Sequence, residues 1–238
     1  IAASASSIEL LQFAPGVPGA SDMYVPVTMY SNDGMASGNF ITSAAPSVLG
    51  GAVISIPGSV PLATAGNHKS NEPIFIRITD ADQNTDAAAV DSLLVTLSVS
   101  ATGDSLTLRL FETGVNSGIF LGYVQTIKVA SPGNDDRLSV GTDDKVTVSY
   151  MDSHNASDTS SAIILVDPFG RVFSSLDGSL LDGAIISIVN VATGMPATVY
   201  GYDGVIIYPY TVFSGGSATD YGGTVYNLPT GRYRFPFV

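Results

Sequence analysis

Apolar and polar residues alternate at a period of two in one stretch after another of this chain, and almost nowhere at the helical period. SLLVTLSVS (92–100) and KVTVSYM (145–151) put every second side chain on one face, the pattern of a strand with one side buried. IFIRIT (74–79), SLTLRLFE (105–112), IFLGYVQTIKV (119–129) and AIILV (162–166) are also strand candidates. AAAVDSLL (87–94) offers one helical turn at most before alternation resumes. Turns rich in Gly, Asp and Asn separate these segments at intervals of roughly 10–20 residues, a spacing that predicts antiparallel sandwiches. The expected fold class is all-β, with two antiparallel β-sandwich domains and an extended N-terminal strand or arm.

Little charge is available to cover such sheets. Asp, Glu, Lys and Arg make up 13% of the chain, about half of the ~25% usual in soluble domains. Hydroxyls, amides and backbone must therefore face water. The net charge is −12 with nine basic residues, which argues against nucleic acid or an anionic membrane as partner, since both require clustered Lys and Arg. Divalent cations are the natural counter-partners. No cysteine is present, so disulfide and thiolate chemistry are excluded, and an exported chain would draw stability from size, metal or assembly. No apolar run approaches the ~18–20 residues of a membrane helix. The first residues, IAASAS, look like the small-residue region left by processing. A mature exported chain, or a fragment of one, is expected at an extracellular or cell-surface location. The sequon Asn155-Ala156-Ser157 is compatible with export and offers Asn155 for glycosylation.

Three regions differ in character. Residues 1–60 combine one good strand, SIELLQFA (7–14), with a Pro/Gly-rich passage that reads as a linker or an extended arm. Residues 61–166 hold most of the alternating segments. Residues 167–238 begin at a Val-Asp-Pro break, and there RVFSSLDG (171–178) and GAIISIVNVATG (183–194) read as a hairpin. Up to residue 166 there are 16 acids against six bases, or −10; the remainder has five acids against three Arg, or −2. That shift supports a boundary near 166.

Two segments resemble known families. FIRITDADQNTD, followed by SLLVTLSVSATGDSLTLRLFETGVNSGIFLGYV, is similar to the Ig-like β-sandwich modules of very large prokaryotic surface proteins, and ETGVNSGIF (112–120) is its most specific part. DPFGRVFSSLDGSLLDGAIISIVNVATGMPA resembles the transthyretin-like modules of surface proteins, the carboxypeptidase-regulatory-like and serine-aspartate-repeat B-like group. Both resemblances imply extracellular spacers or structural units and no enzyme. Many pilin-like relatives carry a Lys–Asn isopeptide crosslink, whereas residues 167–238 contain no Lys. Such modules usually finish with a further strand, so the resemblance also implies that this domain lacks its closing strand.

The densest cluster of ligand-type groups is DADQNTDAAAVD (80–91). Asp80, Asp82, Asn84, Asp86 and Asp91 fall at positions 1, 3, 5, 7 and 12 of a calcium loop. Thr85 replaces the glycine of an EF-hand, Asp91 replaces its bidentate Glu, and flanking helices are missing. A Ca²⁺-binding loop on a β-sandwich, with help from Glu112, is the sharper expectation; Asx-turns in a solvated loop are the plainer one. A second acidic patch, Asn134-Asp135-Asp136 and Asp143-Asp144, reads as hairpin turns facing water. His68 and His154 lie in no metal or triad context, G-x-S-x-G is absent, and with three Glu and no Trp a glycosidase is disfavoured. Ten aromatic residues crowd positions 200–237, fitting either a core or an interface.

The leading expectation is a structural protein, a subunit of a filament, pilus-like fibre or surface layer. Its assembly strand would be Ile8, Leu10, Leu11 and Phe13, adding to an acceptor edge at Tyr233, Phe235 and Phe237 of the next copy. The alternative is an adhesin or carbohydrate-binding spacer of a larger surface protein, with a surface glycan as partner.

Overall fold

The structure, a computed structural model, describes residues 4–236. Every regular element among them is a strand, as the period-two patterning requires. The chain divides into two compact units, Ile1–Asp167 and Pro168–Val238.

The first unit contains β1 (Ser7–Phe13), β2 (Ser21–Val25), β3 (Met29–Ser31), β4 (Phe40–Thr42), β5 (Gly58–Thr64) and β6 (Pro73–Thr79). It continues with β7 (Ser92–Val99), β8 (Asp104–Glu112), β9 (Ile119–Ile127), β10 (Arg137–Ser139), β11 (Asp144–Met151) and β12 (Thr159–Val166). Their order is β12-β11-β7-β8-β9-β6-β1-β5-β2, with β10 added parallel to β9 and the β3–β4 hairpin added to β8. Strands β8 and β9 pair only beside their turn, at Phe111↔Leu121 and Glu112↔Phe120. Beyond that point they diverge, and the two halves of the sheet share one core. Leu97, Leu106, Leu108, Val146 and Val148 come from one half, and Leu10, Ile74, Ile76, Ile78 and Phe120 from the other.

A second core lies on the opposite face of β1, β6 and β9. Leu11, Phe75, Leu121 and Tyr123 meet Val60 and Leu62 of β5, together with Val25 and Ile54. The three central strands therefore bury both faces, which explains apolar residues at adjacent positions in IFIRIT and ELLQF. This corrects the expectation of an N-terminal arm. Ser7–Leu11 pair with β6 and Leu11–Phe13 with β5, so SIELLQF is an interior strand of its own unit. The apolarity that suggests a donor strand is the mark of a strand with a core on each side.

Gly122 shows how close this packing is. A Cβ there would meet Leu110 Cδ2 at 2.3 Å and Thr28 Oγ1 at 2.7 Å, and Thr28 Oγ1 already accepts the Tyr123 amide at 2.9 Å. Gly122→Ala is expected to cost about 1–3 kcal/mol as an overpacked site, seen as a lower midpoint in urea with unchanged slope.

The second unit contains β13 (Gly170–Arg171), β14 (Ile185–Ser187), β15 (Val199–Tyr200), β16 (Ile207–Tyr208), β17 (Thr211–Phe213), β18 (Ser217–Thr219), β19 (Val225–Asn227) and β20 (Arg232–Tyr233). They form four antiparallel ribbons, β13–β20, β14–β17, β15–β16 and β18–β19. The expected pairing of 171–178 with 183–194 does not form. Instead the Asp177-Gly178 turn, with Gly178 at φ 73°, folds residues 173–180 onto themselves through a Phe173–Leu180 bridge. This frees β14 to pair with β17. Val199, Tyr208, Val212, Ala218, Tyr226 and Leu228 form the core, with the Tyr208 and Tyr226 rings edge to face at 4.9 Å.

The proposed acceptor edge is also corrected. Tyr233 and Phe235 pack against this core, and Tyr233 lies across from Gly170 in the β13–β20 ribbon. The Tyr233 ring occupies the space a Cβ of residue 170 would take, so glycine there lets the aromatic ring cover the backbone. Phe237 lies outside the described residues.

Candidate metal centre

The 80–91 loop does not wrap around a single point. Asp80 follows β6 directly and is buried, its amide donating to Gly118 O at 2.9 Å. Asp82 is buried beside it, and the Asp82 amide donates to Asp80 Oδ1 at 3.3 Å. The remaining positions turn away to local tasks. Asn84 Nδ2 donates to Asn116 Oδ1 at 2.6 Å, and Asp86 Oδ1 accepts the Ala88 amide in an Asx-turn. Asp91 accepts the amides of Thr85 and Asp86 and the Thr85 hydroxyl, and these bonds hold its carboxyl below the usual carboxylate range. The twelve-residue ligand set is thereby corrected: Asp86 and Asp91 satisfy backbone donors of the loop itself and Asn84 bonds to Asn116.

Glu112 is the clearest case. It is 1% exposed, yet among the described residues no Lys or Arg pairs with its carboxylate. Oε1 accepts the amides of Ser117 at 3.0 Å and Gly118 at 2.7 Å, and Oε2 accepts the Asp91 amide at 3.0 Å. The ETGVNSG segment is thus a turn closed around a buried carboxylate, with Asn116 and Gly118 at positive φ.

Asp80 has partners that lie far away in sequence. Carboxylate oxygens of Asp80, Asp152 and Asp158 lie within 4.8 Å of one another. Asp152 is 1% exposed and Asp158 half-buried. Asp152 Oδ1 accepts Gln83 Nε2 and, at 2.6 Å, the His154 amide, whereas buried Oδ2 has no hydrogen-bond partner among the described residues. Tyr150 donates its hydroxyl to Asp80 Oδ2 at 2.6 Å. Burial, reinforced by the neighbouring Asp82 and Asp152, pushes the Asp80 carboxyl up to about 6. Burial, together with the Asp80 carboxylate it bonds to, pushes the Tyr150 hydroxyl up as well.

The segment just before β1 closes the cluster. Ser4 donates its hydroxyl to Asp80 and Asp82 at 3.3 Å each and its amide to Asp82 at 3.1 Å. Ser6 donates its amide and hydroxyl to Asp158 at 2.8 and 2.9 Å. Asp152 and Asp158 were missed in the sequence because the spacing test sees one loop, and these two lie across the fold in the β11–β12 connection. Their only local signal is a pair of acids bracketing DSHNASD. The sequon falls in that same connection, and Asn155 Oδ1 accepts the Ser157 hydroxyl at 2.6 Å.

Two other surfaces stand out. On the outward face of the first unit, Thr107, Thr96, Ser149 and Ser161 are successive cross-strand partners. They line a cleft of about 840 Å³ together with Arg109 and Leu94. In the second unit many large apolar side chains face solvent, among them Leu176 at 97%, Ile185 at 68% and Phe213 at 53% exposed. No protein-family model matches this chain, and no curated protein matches it in sequence.

Proposed function

We propose that the chain is an extracellular structural subunit, of the kind that builds a filament or surface layer, and that copies associate through the ribbons of the second unit. The observation that carries this is the cross-strand pair Ile185 and Phe213, exposed together on one ribbon whose two outer edges pair with no other strand among the described residues. Contiguous exposed apolar surface beside open edges is the signature of an interface, and strand addition is the interaction such edges support. Charge favours a second copy as the partner. Residues 168–238 carry four acids and three Arg, a net of −1, against −11 for residues 1–167. Two copies meeting through their second units therefore avoid most of the repulsion between them. β1 is not the donor, since withdrawing it would open both cores of its own unit.

Light scattering across a concentration series, with electron microscopy of the same samples, tests this. Wild-type protein is expected to assemble, and Ile185→Asp combined with Phe213→Asp to remain monomeric with an unchanged melting temperature. Wild-type protein that stays monomeric throughout, or a double variant that assembles normally, would defeat the proposal. The row of four hydroxyls favours a second reading, a spacer that binds a neutral polyhydroxylated ligand such as a glycan. That reading predicts binding without assembly.

A further inference from the structure

We propose that Asp80, Asp152 and Asp158 bind one Ca²⁺ ion, and that the ion fastens the segment just before β1 to the β11–β12 connection. Three carboxylates with oxygens within 4.8 Å of one another repel when ionised, and more strongly inside the protein than in water. No Lys or Arg pairs with any of them among the described residues. The hydrogen bonds from Tyr150, Ser4, Ser6 and Gln83 relieve part of this. They leave Asp152 Oδ2 buried and, among the described residues, without a donor, a costly state for a carboxylate oxygen in the interior. A cation against that oxygen removes both penalties at once.

The donor set selects the ion. All the oxygens are hard carboxylate ligands, and the nearest imidazole, His154, has its Nδ1 engaged by Gln83 Nε2 at 2.8 Å. Oxygen-only sites suit Ca²⁺ or Mg²⁺ over zinc or copper. Two ligand oxygens on opposite sides of one Ca²⁺ lie about 4.6–5.2 Å apart, and all three pairs here fall within that reach. The ligands come from two separate chain segments with no regular octahedral frame. Ca²⁺ accepts such irregular sets of six to eight oxygens far better than Mg²⁺ does. Asp80 sits at the end of β6, Asp152 and Asp158 frame the β11–β12 connection, and Ser4 and Ser6 clasp Asp80 and Asp158 from the segment just before β1. One ion therefore ties together segments about 70 to 150 residues apart in sequence, where chain constraint stabilises most.

Tb³⁺ luminescence excited through tyrosine is the direct test, because Tyr150 hydrogen-bonds to the proposed ligand Asp80. Full-length protein freed of metal with EDTA is expected to give sensitised emission that saturates at one Tb³⁺ per chain and is displaced by Ca²⁺. Tyr150→Phe should remove most of that emission. Asp152→Asn and Asp158→Asn should each abolish it, whereas Asp91→Asn should retain it. In parallel, millimolar Ca²⁺ is expected to raise the wild-type melting temperature by roughly 5–10 °C and to slow amide exchange at residues 6–10. Mg²⁺ at the same concentration should do less than half as much. Absence of sensitised emission and of a Ca²⁺ shift in wild type overturns the site. Full emission in Asp152→Asn overturns the ligand set, and an equal shift with Mg²⁺ overturns the choice of calcium.

Discussion

Replacing Glu112 with alanine is expected to lower the free energy of unfolding by about 3–5 kcal/mol, measured by urea denaturation. Its carboxylate accepts three backbone amides, those of Asp91, Ser117 and Gly118, and a longer contact from the Ser117 hydroxyl at 3.4 Å. Alanine leaves the amides without an acceptor in a largely buried site, and each orphaned group costs about 1–3 kcal/mol where water cannot replace the carboxylate. The loss also frees the turn between β8 and β9, the point where the two halves of the sheet still pair. Glu112→Gln should cost less, because one amide oxygen keeps the pair of donors on the 117–118 side. Neither substitution should alter Ca²⁺ binding at Asp80, Asp152 and Asp158. A Glu112→Ala protein with normal stability would show that the turn is held by other means.

The second large effect is acid destabilisation through His68. This residue is buried, with Nε2 against Glu72 O at 3.0 Å and Thr126 Oγ1 at 3.3 Å. Burial lowers its pKa from 6.5 to about 4, outweighing the Glu72 carbonyl and the Asp167 carboxylate, which favour the charged ring. The Lys128 ammonium, 3.0 Å from Asp167, tempers that second attraction. An unfolded chain takes up this proton near pH 6.5, and the folded one only near pH 4. Stability is therefore full above pH 6.5 and falls as pH drops towards 4, by about 3 kcal/mol in all. Asp80, raised to about 6, works in the opposite sense over part of this window. The informative quantity is thus the difference between wild type and His68→Gln. That difference is expected to shrink steadily from pH 7 to pH 4 in thermal denaturation, and a constant difference would rule His68 out as the source.

The strands were legible because each carries its own alternation. The segments 92–100, 105–112, 145–151 and 162–166 match β7, β8, β11 and β12, the first overrunning its strand by one residue. What could not be read locally was where a strand sits in the sheet. SIELLQF looks alike as a donor for a neighbour and as an interior strand, since both need apolar side chains on two faces; only its pairing with β5 and β6 separates them. In the second unit the elements are two or three residues long, too short for any period to declare itself, and the predicted hairpin failed there. The acidic site was half legible. Asp80 stood out, but the acids grouped with it lie 72 and 78 residues away. The acids it was first matched with accept backbone amides instead, and Asn84 bonds to Asn116.

The position of β1 carries a consequence for how the molecule is made. The first strand in the chain occupies the middle of the sheet, between β5 and β6, and pairs Ser7 with Thr79 and Leu11 with Thr64. The sheet therefore cannot grow outward one neighbour at a time in the order of synthesis. β1 must wait until some seventy further residues exist before its partners do, with Leu10 and Leu11 in water meanwhile. Such long-range closure slows folding, and it leaves a sticky segment exposed while the chain is still emerging. The acidic Glu9 between Ile8 and Leu10 is the one charge in β1 to keep that segment soluble during the interval.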